Sequence, residues 1–276
     1  MNTIAILTDF GLSDNFVGVM KGVILNINPR VNLVDITHNV EAGDIDVGAF
    51  LLKSSYKFFP KGTIFLAVVD PGVGTERRAV VIQSKNYIFV GPDNGLMSLA
   101  VYSDGIKNIV AIKNEKFFLK PVSCTFHGRD VFAPVAAHLS KGEKPYAFGR
   151  RINSIKMLDW PKPEVIKKNK TLEGKVVYID KFGNLATNID RTLFKGFISK
   201  EPFKITIKNR TITSISNSYQ EVTRGRVLAI FGSHGFLEIS ANQGSAREIL
   251  GVNKGTVVRV RGLAKVKRKY QSIYVD

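Results

Sequence analysis

The chain has 276 residues, of which 44% are hydrophobic and 23% charged, a composition typical of a globular protein with one large or two ordinary domains. A single cysteine, Cys124, excludes an internal disulfide and a multi-cysteine zinc site, so a reducing cytoplasm is the expected location. No run approaches the eighteen apolar residues of a membrane span, and the first strand is preceded by no basic leader. We therefore expect neither a membrane anchor nor a signal peptide.

The formal net charge is +17, from 40 Lys and Arg against 23 Asp and Glu. Strongly basic chains often bind nucleic acid or anionic surfaces. Here the basic residues are scattered, with local concentrations at 165–175 and 261–270, and no nucleic-acid motif or base-stacking aromatic pair accompanies them. The sequence favours a solvated basic surface over RNA or DNA binding.

Apolar runs alternate with helical patterns over residues 1–160, which we predict to be a three-layer α/β domain with a mostly parallel sheet covered on both faces. The expected elements are, in chain order, a strand at 3–9, a helix at 13–28 with Ser13 as N-cap and Pro29 closing it, a strand at 31–37, a helix at 44–59, a strand at 63–70, a hairpin of 79–85 and 87–91, and short helices from Asn94 and from about Asp130.

The composition and pattern of the sequence change after residue 160. Residues 161–171 are rich in Pro and Lys and are typical of a linker. Over 172–276, short apolar runs separated by Gly and Asn show no helix-length pattern. This predicts a smaller antiparallel β-barrel domain.

Three acidic positions follow predicted strands of the first domain. Asp9 ends the first strand, with Asp14 just beyond it; Asp70 ends the third; Asp93 and Asn94 follow the fourth. Any one of them is more often a cap or turn residue than a functional group. Because ligands of open α/β sheets bind at the carboxyl ends of strands, Asp9 and Asp70 together predict one crevice.

Arg77 and His127 add chemistry to that crevice. Arg77 comes seven residues after Asp70, beyond a tight Pro-Gly turn, and His127 precedes a glycine at the mouth of a predicted helix. A lone histidine is as often packed or exposed as functional. The stretch "PGVGTERR" lacks the third glycine of a dinucleotide fingerprint and there is no Walker A sequence, so NAD and ATP γ-phosphate chemistry is not expected.

Short polar side chains and a ring are concentrated in the second domain. Asp180 and Asn184 flank an aromatic-Gly turn, Tyr219 lies in a polar loop, and Ser233 and Asn242 belong to the Gly-punctuated stretch 231–246. Hairpin chemistry explains much of this pattern. Amide side chains plus an aromatic face are also what an adenine pocket needs.

Six stretches occur in an order that resembles one family: "TDFGLSDNFVGVMKG", "VDPGVGTERR", "GPDNGL", "TFHGRDVFAP", "IDKFGNLATNI" and "GSHGFLEISANQGSA". They cover the chain almost end to end. The set is similar to the S-adenosyl-L-methionine (SAM) hydrolases, also called SAM hydroxide adenosyltransferases, whose relatives include the fluorinase and chlorinase enzymes. The resemblance implies hydrolysis of SAM to adenosine and L-methionine, SAM as substrate with no cofactor or metal, and a homotrimer that binds SAM between neighbouring subunits.

The resemblance also implies residue roles. It matches a catalytic trio to Asp70, Arg77 and His127, and the halogenase branches carry a different residue, aromatic in the fluorinase, where this chain has Asp70. By chemical type, Asp9 suits the ribose hydroxyls and Asp14 the methionine ammonium. The remaining substrate contacts are expected in the second domain: Asp180, Asn184, Tyr219, Ser233 and Asn242. The fluorinase has a Trp over the ribose where this chain has Gly43.

Two other functions stay open at this point. A metal-dependent phosphoesterase could use Asp9, Asp14, Asp70, Asp93 and His127 around Mg²⁺ or Zn²⁺. Against it, an arginine is an unhelpful neighbour for a dication and no paired histidines appear. The other alternative is a non-catalytic protein that binds nucleic acid or adenosine.

Overall fold

The computed structural model describes residues 2–199 and 201–263. The chain divides into two compact units between Trp160 and Pro161. Most of the basic stretch 261–270 lies outside the described residues.

The first unit contains seven strands and four α-helices among its described residues. The strands are β1 (Thr3–Thr8), β2 (Asn32–Thr37), β3 (Ile64–Val68), β4 (Ala79–Ser84), β5 (Ile88–Pro92), β6 (Ile106–Ile112) and β7 (Gly149–Arg151). The helices are α1 (Phe16–Ile27), α2 (Ile45–Ser55), α3 (Ser98–Asp104) and α4 (Ala133–Ser140).

These strands form one sheet in the order β2-β1-β3-β5-β4-β6-β7. The pairs β2–β1, β1–β3 and β3–β5 are parallel, whereas β5–β4, β4–β6 and β6–β7 are antiparallel. The predicted mostly parallel sheet is therefore correct for one half only. The reversal follows from the short β4–β5 connection, because a parallel neighbour needs a crossover of a dozen residues or more.

Two apolar layers cover the faces of this sheet. Alternate residues of β1 point to opposite sides: Ile4 and Ile6 pack in the layer that contains α1 and α4, and Ala5 and Leu7 in the layer that contains α2 and α3. All five residues of β3 are buried. A central strand covered on both faces explains why its sequence is a continuous apolar run.

Helix boundaries differ from the prediction at several points; helix α3, for example, begins at Ser98 and not at Asn94. Helix α1 begins at Phe16, preceded by Asn15 without a side-chain cap, so Ser13 is not its N-cap. The chain is held out of the helix because Gly11, at φ +68°, donates its N–H to the His38 carbonyl at 2.7 Å. Helix α2 ends at Ser55 and continues only as a 3₁₀ turn over residues 56–58.

The second unit contains eight strands and two short helices among its described residues. The strands are β8 (Glu164–Ile166), β9 (Thr171–Ile179), β10 (Leu185–Asp190), β11 (Phe203–Ile207), β12 (Arg210–Ile212), β13 (Val227–Phe231), β14 (Phe236–Ala241) and β15 (Val257–Gly262). The helices are α5 (Arg191–Ile198) and α6 (Ala246–Leu250).

The strands form an antiparallel, nearly closed, barrel-like sheet in the order β12-β11-β15-β9-β10-β14-β13, and β8 pairs with β9. Strand β8 lies within the stretch expected to be a linker. Helices α5 and α6 were not predicted: α6 has only five residues and carries little periodicity, and α5 stands among short apolar runs that predict strands. Asp190 nevertheless caps α5, accepting from the Leu193 N–H at 2.8 Å.

None of the described helices combines the length and apolar composition needed to cross a membrane.

Candidate active site

Asp70, Arg77 and His127 form a connected polar trio in the first unit. Arg77 donates from Nε to both Asp70 carboxylate oxygens at 3.0 Å and from Nη2 to Oδ2 at 2.6 Å. The same Nη2 lies 2.8 Å from His127 Nδ1. The Asp70 and Arg77 side chains are 5% and 12% exposed. Such a two-nitrogen, charge-assisted contact fixes orientation as well as distance.

The turn from Asp70 to Arg77 is built by local backbone contacts. The Val73 N–H donates to the Asp70 carbonyl at 3.2 Å, and the Thr75 hydroxyl donates to the Gly72 carbonyl at 2.7 Å. Gly74 has φ +77°, and a Cβ at this position would collide with the Cys124 carbonyl oxygen. The glycine therefore serves two needs, a left-handed backbone and close packing on the loop before His127.

His127 lies at the start of a π-helical turn, residues 128–132, that leads into α4. Such turns are rare and occur mainly at functional sites. Gly128 packs tightly on Phe10 and Phe126, since a Cβ there would lie 3.3 and 3.1 Å from their rings. Phe10 directly follows Asp9, so the π turn holds His127 against the end of β1.

The hydrogen bond to Arg77 defines the protonation of His127. A guanidinium can only donate, so Nδ1 must be the acceptor and the ring proton of the neutral imidazole is on Nε2. The pKa of His127 lies below its ordinary value of 6.5, first because of burial and next because of Arg77, while Asp70 and Asp130 act in the opposite direction. At neutral pH the His127 imidazole is therefore neutral.

Asp9 presents an unused buried acceptor. Its Oδ2 accepts from the Gly43 N–H at 2.8 Å, while Oδ1 is buried without a hydrogen-bond partner among the described residues. Buried polar atoms are normally paired, so an orphan oxygen indicates a place for a donor from outside the chain. Asp9 and Asp70 follow the neighbouring parallel strands β1 and β3, and a Cβ on Gly43 would lie 3.7 Å from Pro71. The two carboxylates therefore follow strands that end at the same edge of the sheet, and the shared crevice stays a prediction.

Asp14 is not joined to this group by any described hydrogen bond or ion pair. It is exposed in the segment before α1. An aromatic cluster that sequence reasoning missed lies beside it: Phe10, Phe16 and Phe126, with ring centroids 5.2 to 5.8 Å apart. Phe16 is 42% exposed although it packs on the other two rings. The cluster offers an apolar wall near Asp9. Its only sequence signal is the aromatic content of the motifs "TDFGLSDNFVGVMKG" and "TFHGRDVFAP".

A cleft of about 590 Å³ in the first unit reaches two members of the trio, Arg77 and His127. Its other walls come from residues 74–79, the end of β6, Phe118, Val122 and Val131. Asp70 is not among its walls. The cleft shows that the partly buried Arg77 and His127 side chains border open space, from which water can reach them.

A larger cavity, about 750 Å³, lies in the second unit. Four of the five predicted contacts of this unit line it, together with residues that were not predicted: Asp180, Asn184, Tyr219 and Asn242, with Phe182, Ser218, Gln220, Ala241, Gln243 and Gly244. Ser233 is outside this lining, on an exposed turn between β13 and β14. The structure therefore gathers four predicted residues into one cavity and leaves the fifth elsewhere.

Hydrogen bonds around the cavity distinguish the side chains that hold its wall in shape from those that face a ligand. Both Asp180 oxygens accept from the turn that follows, at 2.9 Å from the Phe182 and Asn184 N–H groups and from the Asn184 side chain. Asp180 thus shapes the turn. Phe182, which sequence reasoning did not single out, is 64% exposed and gives the rim an aromatic face.

Tyr219 is held at the cavity by a buried carboxylate. Its hydroxyl donates to Glu238 Oε1 at 3.1 Å, and the Ser240 hydroxyl donates to the same oxygen at 2.7 Å. Burial, followed by the Glu238 charge, raises the pKa of Tyr219 to about 12, so the phenol stays protonated and keeps this bond. The Glu238 side chain was not predicted as part of the site.

The acidic residues of the first unit are not arranged for a metal. Among residues 2–199 and 201–263, no three His, Cys, Asp or Glu side chains are grouped so as to hold an ion. Asp70 is bound by Arg77, and Asp93 accepts from Arg78 at 2.7 Å. The geometry does not favour the phosphoesterase alternative.

Fold and site together define a two-unit α/β protein with a carboxylate, a guanidinium and an imidazole joined in its first unit. The chain belongs to the SAM hydroxide adenosyltransferase family: residues 4–149 match the family's N-terminal domain and residues 174–259 its C-terminal domain.

Relatives match over nearly the full length of the chain. The (R)-S-adenosyl-L-methionine hydrolase of Thermus thermophilus is 36% identical over 267 residues, covering 94% of this chain and 100% of the relative. The protein of the same name from Methanocaldococcus jannaschii is 37% identical, covering 92% and 93%. Fluorinases are more distant, that of Nocardia brasiliensis being 28% identical over 94% of this chain and 96% of its own.

A solved structure shows the same architecture. The crystal structure of an uncharacterized conserved protein from Thermotoga maritima superimposes with a TM-score of 0.87 at 38% identity, covering 94% of this chain and 99% of that one.

Proposed function

We propose that this protein hydrolyses (R)-S-adenosyl-L-methionine to adenosine and L-methionine by attack of water at C5′. The observation that carries the proposal is the Asp70–Arg77–His127 trio, of which Arg77 and His127 border an open cleft. Relatives at 36% and 37% identity over most of the chain bear the hydrolase name. Their names specify the R configuration at sulfur, a refinement that no motif in the sequence suggested.

The reaction needs a nucleophile more than an acid. The sulfonium makes methionine a neutral leaving group, so breaking the C5′–S bond requires no protonation. Water is a poor nucleophile at neutral pH unless its lone pair is aimed and its proton has an acceptor. Holding the water in line with C5′–S can contribute about 7–11 kcal/mol by removing orientational freedom beforehand.

Each member of the trio has a distinct role in holding that water. The Asp70 carboxylate accepts a water proton, and Arg77 keeps this carboxylate in one orientation through its three contacts. His127 Nε2–H donates to the water oxygen, which leaves a lone pair directed at C5′. As the O–C5′ bond forms and the C5′–S pair moves to sulfur, the water proton passes to Asp70 and then to solvent.

The substrate contacts follow from the remaining groups. Asp9 Oδ1, the buried acceptor, takes a ribose hydroxyl, and exposed Asp14 pairs with the methionine ammonium. The cavity of the second unit takes adenine, with Tyr219 and Phe182 as aromatic faces and Asn184 and Asn242 as edge partners. Asp180 acts by shaping the turn that carries Phe182 and Asn184. Ser233 contacts substrate from outside the cavity lining.

The assembly proposed is a homotrimer in which the first unit of one subunit and the second unit of its neighbour share a substrate. The ribose-type and adenine-type residues lie in separate compact units, and each unit has its own core. No membrane partner is proposed, nucleic acid is not proposed as a partner, and no cofactor is required by the chemistry above.

One incubation tests the reaction. Purified protein is mixed with each sulfur epimer of SAM in ¹⁸O-water. The products are separated by chromatography, and their masses are measured by mass spectrometry. We expect turnover of the R epimer, with label in the adenosine 5′-hydroxyl. Adenine or 5′-methylthioadenosine as main product would contradict the proposal.

Two controls address the alternatives. Undiminished turnover in excess EDTA would exclude a metal-dependent phosphoesterase. Salt-sensitive RNA binding without any turnover of SAM would instead favour the non-catalytic alternative.

A further inference from the structure

We infer that the turn Asp93–Asn94 is the positioning element of the Asp70–Arg77 pair. The inference rests on the proposed function, because it assigns these two residues a part in the same reaction. Sequence reasoning favoured a cap or turn role for them, with Asp93 also a candidate ligand in the metal-dependent alternative. The sheet order shows why they have another: β5 lies between β3 and β4, and the turn that ends β5 therefore separates Asp70 from Arg77.

The gap that the pair must bridge is wide. Neighbouring strands lie about 4.8 Å apart, so β3 and β4 are separated by about twice that distance. Asp70 follows β3 and Arg77 precedes β4, with no backbone pairing between these two strands. The turn over residues 71–76 joins the two residues along the chain, while their contact across the end of β5 is between side chains. Contacts from the end of β5 can hold the backbone on each side of this gap.

Asn94 holds the Asp70 side of the gap. Its Nδ2 donates to the Val69 carbonyl at 2.7 Å, and its Oδ1 accepts from the Leu96 N–H at 3.2 Å. Val69 is fully buried and immediately precedes Asp70. The amide side chain therefore ties the backbone that carries Asp70 to the turn after β5.

Asp93 holds the Arg77 side of the gap. Its Oδ2 accepts from Arg78 Nε at 2.7 Å, its N–H donates to the Arg78 carbonyl at 2.9 Å, and its Oδ1 accepts from the Lys156 N–H at 2.7 Å. The Asp93 side chain is only 2% exposed. Because Arg78 adjoins Arg77, the Asp93 N–H holds the backbone from which the Arg77 guanidinium extends. The Asp93 carboxylate adds a hold on the Arg78 side chain and on the Lys156 N–H.

The two sets of contacts are made by adjacent residues of one turn. Asp93 and Asn94 bind the residues next to Arg77 and Asp70, one on each side of β5. A catalytic pair must be held within about 0.5 Å of its working geometry, and supporting hydrogen bonds usually provide that precision. Neither residue touches the trio directly, so both are positioning residues.

The same hairpin offers a matched control at its other end. Asp104 accepts from the Asn86 N–H and from the Asn86 side chain, both at 2.7 Å, at the β4–β5 turn. This is again an Asp and an Asn that fasten a turn of the same two strands. It lies at the end of the hairpin opposite the trio.

The test compares Asp93→Asn and Asn94→Ala with Asp104→Asn and Asn86→Ala. For each variant, kcat and KM for SAM, the melting temperature and the Arg77 Nε–H resonance in a ¹⁵N–¹H spectrum are measured, with Arg77→Lys identifying that resonance. We expect the first two variants to lower kcat about tenfold or more with KM within about threefold, since small misplacements of reacting groups are costly. They should also shift the Arg77 signal.

The control pair should lower the melting temperature comparably while leaving kcat and the Arg77 signal unchanged. Unaltered kcat and resonance in Asp93→Asn and Asn94→Ala would overturn the inference, and so would equal losses of kcat in the control pair. If the wild-type protein does not turn over SAM, the proposed function fails. The Arg77 resonance still decides the positioning role in that case.

Discussion

Asp70, Arg77 and His127 restrict one another, because Arg77 contacts both of the other side chains. Its Nε and Nη2 donate to Asp70, and its Nη2 also donates to His127. We expect Asp70→Ala, Arg77→Ala and His127→Ala each to slow turnover by about 10²-fold or more, the scale for losing an activating group or fixed charge. The binding of SAM should change far less. Calorimetric affinity and kcat measured on the same folded samples check this, and near-normal turnover in Asp70→Ala would leave Asp70 only a structural role.

Asp9 should behave in the opposite way. Its buried Oδ1 is assigned to a ribose hydroxyl, so Asp9→Ala should weaken the binding of SAM before it affects kcat. The measurement is KM and calorimetric affinity against the wild type. Asp46→Ala, on α2 outside the crevice, is the control. A variant at Asp9 with normal affinity and reduced kcat would contradict the assignment.

His127 gives the trio a dependence on pH. Its pKa is lowered in the folded protein, so protonation is less favourable there than in the unfolded chain. The corresponding stability is complete above the unfolded pKa and is lost as the pH falls through the folded one. Protonation of Nδ1 would also remove the acceptor for Arg77. We expect kcat to be constant near neutral pH and to fall with a midpoint below 6.5. The limb should be absent in the residual activity of His127→Gln.

At the scale of elements, the turn over residues 70–77 depends on one close approach. Gly74→Ala would add a Cβ against the Cys124 carbonyl, whereas Gly62, at φ +87°, has nothing within 4 Å of such a Cβ. Both substitutions incur a left-handed backbone cost of about 1–2 kcal/mol. We expect only Gly74→Ala to reduce kcat as well, measured alongside thermal unfolding of both variants. Equal kcat values would show that the turn tolerates movement.

The elements that were predicted correctly are those whose signals are local. Continuous apolar runs indicated β1 and β3, and the carboxyl ends of adjacent parallel strands then placed Asp9 and Asp70 together. The β4–β5 hairpin is also local and was predicted. The pairing of β6 with β4 and β7, the clustering of Phe10 with Phe126 and the hold of Asn94 on Val69 depend on distant segments. Such pairings leave no periodicity in the sequence. Helix α6 was missed because it has only five residues, and α5 because it stands among short runs that predict strands.

At the scale of the whole molecule, the proposal divides one substrate between two units. If the site is shared between subunits, activity should require assembly. We expect light scattering to give three times the 30.5 kDa mass of the chain, and dilution to reduce mass and specific activity together. An active monomer would rule out the shared site.

The bidentate contact between Asp70 and Arg77 has a consequence for competition between nucleophiles. An anion such as chloride is attracted by uncompensated positive charge, but here the guanidinium charge is already neutralised by a carboxylate 5% exposed. Water is neutral and needs only the hydrogen bonds that the trio supplies. Molar chloride should therefore yield no 5′-chloroadenosine and should leave the rate of adenosine formation intact. The Asp70–Arg77 pair would thus select water over anionic nucleophiles, because it offers them no uncompensated positive charge.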